Sequence, residues 1–341
     1  MQERASRLRE EIMVVNKATK QRNNIVDMAK GLAIILMILD HVLMRGRVIT
    51  SFHMPVFFVM AGFFLKTDNM KLLVKKKVRS LLGVYVSLGI LTIFIGLVRL
   101  LLFYNYSLAD AAFVSFNRLR GLVTCQDVWL LWFFVVLFES EIIYACIYRL
   151  FSQRIVLRWL IIILLNISGY IISCIYQEVW YKFDTALICV CFVAVGHEIG
   201  IRKAGLLDDG KTVDFRKFVA LITIWAVGVP FTKLVLALNV YEGYPACILV
   251  AIAGSLSVIC LCNYLNKWKH CRRVLVVFGE NTILIVAVQN ICRQFMPWKN
   301  MTITLGYTGM FVLQIIIVVA AMLCVYGLKK LRDNLICKNA I

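Results

Sequence analysis

The stretch of sequence that decides the fold is residues 25–65, IVDMAKGLAIILMILDHVLMRGRVITSFHMPVFFVMAGFFL. It holds two apolar runs, 25–44 and 49–66, which are separated by a short polar segment. The first run has the length that a helix needs to cross a bilayer, about 20 residues. A chain in lipid must satisfy its own backbone hydrogen bonds, and a continuously apolar run is typical of a helix. The stretch therefore predicts two adjacent membrane-spanning helices.

Similar apolar runs recur through the rest of the chain. Of the 341 residues, 61% are apolar and only 17% are charged, whereas about a quarter are charged in an ordinary soluble protein. The predicted fold class is therefore all-α, a polytopic integral membrane protein with about ten transmembrane helices. The predicted spans are 25–44, 49–66, 80–103, 128–148, 156–176, 184–201, 217–238, 244–264, 273–295 and 306–328.

Positive charge is concentrated in alternate loops of this arrangement. The formal net charge is +19, and most of the 38 lysines and arginines fall on one predicted side. Such a bias marks the cytoplasmic side of a membrane protein, so both termini are predicted to be cytoplasmic. It also explains the charge without nucleic acid, and the predicted partner is the lipid bilayer. The predicted organisation is a basic N-terminal tail (1–24), a transmembrane domain (25–328) and a basic C-terminal tail (329–341). An outer loop is predicted at 104–127.

The 12 cysteines do not predict a metal site. Within the pairs Cys189 and Cys191, and Cys260 and Cys262, one residue separates the two thiols, whereas zinc and redox sites commonly have two. Cysteines in apolar runs behave as small hydrophobic residues. The sequence therefore predicts neither a bound metal nor a disulfide framework.

Lys30 and His41 are the first candidate functional residues. Eleven residues at about 100° each return to within about 20° of the start, so both side chains lie on one helix face, about 16 Å apart along the axis. Asp27 precedes Lys30 by three residues and is its predicted partner, and Asp40 makes the surroundings of His41 polar. Ionisable groups in a span are costly and usually functional. The alternative for His41 is a satisfied packing residue.

His53 is the second candidate histidine. It precedes Pro55, and proline suits the first helical turn because its missing N–H costs nothing there. His53 is thus predicted near the depth of His41, where two imidazoles from adjacent helices would form an acid–base pair. The alternative is a helix cap at the membrane interface.

The remaining polar residues in predicted spans are interpreted mainly as structural. Glu139 is predicted to pair with a buried cation or to line the acceptor path, and Glu141 to pair with Arg149. His197 and Glu198 are predicted at the membrane interface. The tryptophans near span ends are predicted to belong to the interfacial aromatic belt; they are Trp129, Trp132 and Trp298.

The opening stretch resembles the acyltransferase-3 family of membrane O-acyltransferases. The residues that carry the resemblance are Asp27, Lys30, Gly31, His41, Ser51, Phe52, His53, Met54, Pro55, Phe57, Phe58, Gly62 and Phe63. A weaker similarity continues downstream, through Trp132-Phe133, Leu137-Phe138, Gly196 and the helix start Phe278-Gly279-Glu280-Asn281-Thr282. Together these motifs cover most of the chain.

The resemblance implies that acyl-CoA, most often acetyl-CoA, is a co-substrate that binds from the cytoplasm, with no bound cofactor. The implied acceptor is a carbohydrate or glycolipid of the cell envelope, and the implied location is a bacterial plasma membrane. His41 takes the place of the base, His53 is a second site histidine, and Lys30 with Asp27 serves the donor. The supporting candidates are Asp40, Glu139, Asn281 and Gln289.

Two positions depart from the family pattern. Family members usually have a small residue where this chain has Asp40. Many have a histidine at the position of Gln289, and glutamine can form hydrogen bonds but cannot carry a proton at neutral pH.

Two other functions compete with the enzyme. One is a transporter or exporter of a polysaccharide or small polar solute, because buried His, Lys and Glu also serve proton relays. The sequence has no inverted repeat and no matching pair of Gly/Pro-interrupted helices to favour it. The other is an inactive family member with a binding role, which the glutamine at position 289 favours.

Overall fold

The computed structural model describes residues 23–42, 46–126, 128–176, 179–202, 212–295 and 298–339, with side chains at 298, 299 and 332–339 excepted. Most of the predicted N-terminal tail therefore lies outside the described residues, as do most side chains of the predicted C-terminal tail. The predicted role of Trp298 in an aromatic belt also falls outside them.

Helix makes up 86% of the structure. The helices are α1 (Asn24–Val42), α2 (Arg47–Thr50), α3 (His53–Phe63), α4 (Met70–Lys77), α5 (Gly83–Phe103), α6 (Leu108–Thr124), α7 (Trp132–Leu150), α8 (Ile155–Ile175), α9 (Phe183–Ile201), α10 (Phe215–Gly228), α11 (Ala246–Leu265), α12 (Lys269–Glu280), α13 (Thr282–Phe295) and α14 (Trp298–Asn339). A short ribbon of two strands, β1 (Lys233–Val235) and β2 (Val240–Glu242), interrupts them between α10 and α11.

Six helical segments among the described residues are long and apolar enough to cross a membrane. They are Met70–Phe103, Leu108–Leu150, Ile155–Ile175, Trp180–Ile201, Ala246–Leu265 and Asn300–Leu331. The pair α12 and α13, bent by 65°, makes a seventh if it forms one span. The chain is thus an all-α protein of the membrane type. Three predicted spans do not meet the same criteria: 25–44, 49–66 and 217–238. The first contains α1, which carries the charged residues Asp27, Lys30 and Asp40, and the helices of the other two, α2–α3 and α10, are too short.

The predicted span 217–238 is wrong in its second half. Helix α10 ends at Gly228, and a 3₁₀ turn follows at Val229–Phe231, with proline at its start. Proline cannot donate the hydrogen bond that would continue an α-helix. The chain then forms the antiparallel ribbon, in which Leu234 lies opposite Tyr241.

The predicted outer loop at 104–127 is largely helical, because most of it is the 17-residue helix α6. Ser107 caps its start, where the hydroxyl accepts a hydrogen bond from the Asp110 amide at 3.1 Å. The helix packs on α5, where the side chain of Leu122 lies over Gly89. The predicted span 273–295 is interrupted as well, since Asn281 separates α12 from α13.

Two pairs of helices cross at glycines that belong to the motifs of the sequence analysis. A methyl group added at Gly31 of α1 would overlap the carbonyl oxygen of Leu275 in α12, and one added at Gly279 would overlap that of Asp27. The same reciprocal contact joins α3 and α9 through Gly62 and Gly196. Small residues let helix backbones approach closely in membranes. These four glycines therefore hold together the helices that carry the candidate site.

Candidate functional site

A cavity of about 400 Å³ lies among α1, α3, α4, α7, α13 and the ribbon. Four of the eight candidate site residues lie on its wall: Lys30, Asp40, His41 and His53. Most of the rest of the wall is apolar or aromatic, and it includes Ile34, Met37, Met54, Phe57, Met60, Phe64, Leu81, Trp129, Trp132, Phe133, Phe134, Leu137, Val235, Leu236 and Val286.

Two lysines and their carboxylate partners form what we call the lysine group: Lys30 with Asp27, and Lys77 with Glu141. The Lys30 ammonium lies 3.8 Å from the Asp27 carboxylate, as predicted from their spacing. Lys77, at the end of α4, also lines the cavity and forms an ion pair with Glu141, whose side chain is fully buried. The predicted pairing of Glu141 with Arg149 is therefore wrong.

His53 begins α3 and is buried, with 6% of its surface exposed. Its Nδ1 lies 2.9 Å from the carbonyl oxygen of Ile49. A carbonyl can only accept a hydrogen bond, so Nδ1 carries the proton and Nε2 is the basic nitrogen of the neutral ring. The segment before it is held by Trp225 of α10, whose Nε1 donates to the Ser51 hydroxyl at 3.0 Å.

His41 packs against an aromatic residue from another part of the chain. Its ring centroid lies 5.2 Å from that of Trp129, with the planes inclined by 35°. On the same indole, the guanidinium carbon of Arg293 lies 4.2 Å from the ring centroid. We call His41, His53 and Trp129 the histidine group. Trp129 lines the cavity, and Trp132 is 4% exposed, so the prediction of an interfacial belt is wrong for Trp132.

Several predicted site residues lie off the cavity wall. Asp27 pairs with the wall residue Lys30 but does not itself line the cavity. Asn281 lies at the bend between α12 and α13, where its side chain donates to the Val277 carbonyl at 2.8 Å. Gln289 is buried, and its Oε1 has no hydrogen-bond partner among the described residues. Glu139 lies near enough to Asp184 for the two carboxylates to interact electrostatically.

His197 and Glu198 lie in a separate polar cluster. The Tyr144 hydroxyl and His197 Nδ1 are 2.9 Å apart, and Glu198 pairs with Arg158 and Arg202. These contacts satisfy both residues, and neither lines the cavity.

Four contributors to the site were not predicted from the sequence: Lys77, Trp129, Arg293 and the ribbon segment 235–237. Trp129 was predicted only as a member of the interfacial aromatic belt. Lys77 belongs to a run of lysines beside a span, a pattern typical of a solvated loop. Arg293 follows Gln289 by one helical turn, a spacing that places both on one side of α13. That spacing was the available signal for Arg293. The ribbon segment has no sequence signal, since its residues are ordinary apolar ones.

Comparison with known proteins identifies the family. The family model described as Acyltransferase domain, acyltransferase-3, matches residues 23–329, which is nearly the whole chain. The chain therefore belongs to this family, and the resemblance drawn from its motifs is confirmed. No curated protein and no solved structure gave a match. Family membership and the apolar helices together define a multi-pass membrane acyltransferase.

Proposed function

We propose that this protein transfers an acyl group, in the first instance acetyl, from acyl-CoA to a hydroxyl of a cell-envelope carbohydrate or glycolipid. The supporting observation is that two lysines and two histidines lie on the wall of one cavity: Lys30, Lys77, His41 and His53. Its volume of about 400 Å³ is typical of sites for small molecules.

The lysine group is suited to the donor. Coenzyme A carries phosphates that cannot enter lipid, and a cation attracts them strongly where water is scarce. Lys30 and Lys77 supply two such cations on the cavity wall. The apolar and aromatic side chains between them and His41 are suited to the donor's uncharged arm, over the reach of about 16 Å along α1.

The histidine group is suited to the reaction. The acceptor oxygen attacks the thioester carbonyl carbon while His41 takes the hydroxyl proton. The carbon–sulfur bond then breaks, and the departing thiolate receives a proton to give free coenzyme A. Imidazole fits both transfers because its unperturbed pKa lies near neutral pH. His53, with Nε2 as its basic nitrogen, is the second proton-transfer group, and Asp40 lies beside the reacting centre.

We place this enzyme in a bacterial plasma membrane with ten spans and both termini in the cytoplasm. Length and composition identify up to seven spans, and helices α1, α2–α3 and α10 then bring the number to ten. A functional span such as α1 carries ionisable residues, which lowers its hydropathy. The excess of lysine and arginine in alternate loops supports the orientation.

The test uses membranes that contain wild-type protein, His41→Ala or the control His270→Ala, whose histidine is exposed. Each sample receives radiolabelled acetyl-CoA and an extract of envelope glycans. We expect His41→Ala to lower glycan labelling by about 100- to 10,000-fold, the usual value of general base catalysis, and the control to match wild type. Full labelling by His41→Ala would refute its role as base. Solute movement without consumption of acyl-CoA would favour the transporter.

A further inference from the structure

Trp129 makes two contacts with residues from other helices. Its indole packs against His41, with centroids 5.2 Å apart, and receives the Arg293 guanidinium at 4.2 Å. The guanidinium distance lies within the range of a cation–π interaction, which is about 6 Å. One aromatic ring thus connects α13 to the histidine proposed as the base.

The backbone at Trp129 supports a specific placement of this ring. Its φ is +47°, in the left-handed region, which bulky residues rarely adopt. Residues held in such conformations cluster at functional sites, where the surrounding structure fixes them. Trp129 opens the 3₁₀ turn Trp129–Leu131 that leads directly into α7. This turn therefore presents the indole to His41 at the start of a long helix.

Helix α13 reaches the site through Arg293. At the family histidine position this chain has Gln289, which is buried and absent from the cavity wall. One turn later, the same helix places Arg293 over Trp129. The wall residues Thr282, Ile283 and Val286 belong to the first part of α13, so the helix lines the cavity near its start and contacts Trp129 through Arg293 near its end.

We propose that Trp129 is a positioning residue for His41, and that Arg293 holds the indole in place. This inference rests on the proposed function, since it explains how the base is oriented. An imidazole that lies against a fixed ring keeps one orientation toward the acceptor hydroxyl. Without that ring, the side chain of His41 would rotate and the donor and acceptor would meet a misplaced base.

Steady-state kinetics of the detergent-purified full-length protein test whether Trp129 positions His41. We expect Trp129→Ala to lower kcat about 10- to 100-fold, because a displacement of about 1 Å at a reacting group has that effect. The KM for acetyl-CoA should stay within about 2-fold, because the donor-binding lysines are unchanged. Trp129→Phe should recover most of kcat, and Arg293→Lys should be closer to wild type than Arg293→Gln. The matched control is Trp268→Ala, whose ring is exposed.

A second measurement needs no substrate. The chain has 4 histidines, so histidine-selective labelling gives a simple NMR spectrum, in which His41 is identified by its loss in His41→Gln. The ring current of the Trp129 indole should change the chemical shifts of the His41 ring protons. That shift should collapse in Trp129→Ala and persist in part in Trp129→Phe. A shift present in a protein that transfers no acyl group would refute the proposed function and leave the contact established.

Three results would overturn the positioning role. The first is an unchanged kcat in Trp129→Ala, and the second is a His41 resonance that Trp129→Ala does not move. The third is equal loss of kcat in Trp129→Phe and Trp129→Ala. If Trp129→Ala fails to fold, Trp129→Phe and Arg293→Gln decide, since wild-type kcat and His41 shift in both would contradict the proposal.

Discussion

The lysine group and the histidine group share one cavity but are built in different ways. Each lysine has a carboxylate partner, Asp27 for Lys30 and Glu141 for Lys77. His53 is instead fixed by the backbone carbonyl of Ile49, and His41 packs against an indole. Charge pairing dominates the first group, while backbone geometry and ring contacts dominate the second.

The two kinds of contact predict different responses to substitution in the two groups. Removal of one partner of an ion pair in a low-dielectric site lowers the stability of the protein, because the other charge remains without compensation. The ring contact of His41 and the carbonyl hydrogen bond of His53 set the directions in which the two imidazoles point, so their loss should change orientation more than stability. Substitutions in the lysine group should therefore affect folding and donor binding, whereas those in the histidine group should affect kcat.

The largest stability effect is expected at the buried ion pair. Glu141→Ala leaves the Lys77 ammonium, whose side chain is only 21% exposed, without its carboxylate partner, which should lower the free energy of unfolding by about 3–5 kcal/mol. SDS-induced unfolding in mixed micelles measures it. The double variant Lys77→Met with Glu141→Leu should recover most of the loss, because no charge then remains. Equal stability of the single and double variants would contradict this account of the lysine group.

A somewhat smaller effect is expected at the crossing beside Lys30. Gly31→Ala places a methyl group against the Leu275 carbonyl, and such overpacking should cost about 1–3 kcal/mol of unfolding free energy. Gly327→Ala is the control, since an added methyl group there meets nothing within 4 Å. The same unfolding assay compares them. A Gly31→Ala protein as stable as the control would mean that α1 and α12 are held apart.

The donor assignment of the lysine group predicts a kinetic effect. Lys30→Met should raise the KM for acetyl-CoA about tenfold with kcat nearly unchanged, as expected when an interaction common to ground and transition states is lost. Lys30→Arg keeps the charge and should stay near wild type. Initial rates at varied donor concentration give both constants. A rise in acceptor KM alone would move Lys30 to the acceptor path.

The smallest effect is expected at the ion pairs of the ribbon. Glu242 is 51% exposed and lies 3.3 Å from both Arg47 and Lys233. Exposed ion pairs contribute about 0–1 kcal/mol, so Glu242→Ala should unfold within that margin of wild type. A loss as large as that of Glu141→Ala would show that the ribbon depends on charge as the lysine group does.

Much of the fold could be predicted because apolar runs report helices directly. The segments near 156–176, 184–201 and 244–264 agree closely with α8, α9 and α11. The failures have local causes. Pro230 ends helix at α10, and an amphipathic helix such as α6 has too many polar residues to resemble a span. The ten-span count and the orientation of the termini stay predictions.

The site was predictable where its residues are close in sequence. Asp27, Lys30 and His41 lie on one helix, so helical periodicity alone relates them, and the structure places both Lys30 and His41 on one cavity wall. Their catalytic and binding roles stay predictions. Lys77 and Arg293 could not be related to them, because no periodicity links residues on separate helices.

The sequence by itself determined that this chain is a helical membrane protein of the acyltransferase-3 family, since hydropathy and short motifs are local properties of the chain. It also determined that Asp27 can reach Lys30. The tertiary structure alone decided that Glu141 pairs with Lys77, that Trp129 lies against His41, and that a ribbon closes part of the cavity. These contacts depend on how separate helices pack, and a pattern along one helix carries no information about which side chains of another helix it meets.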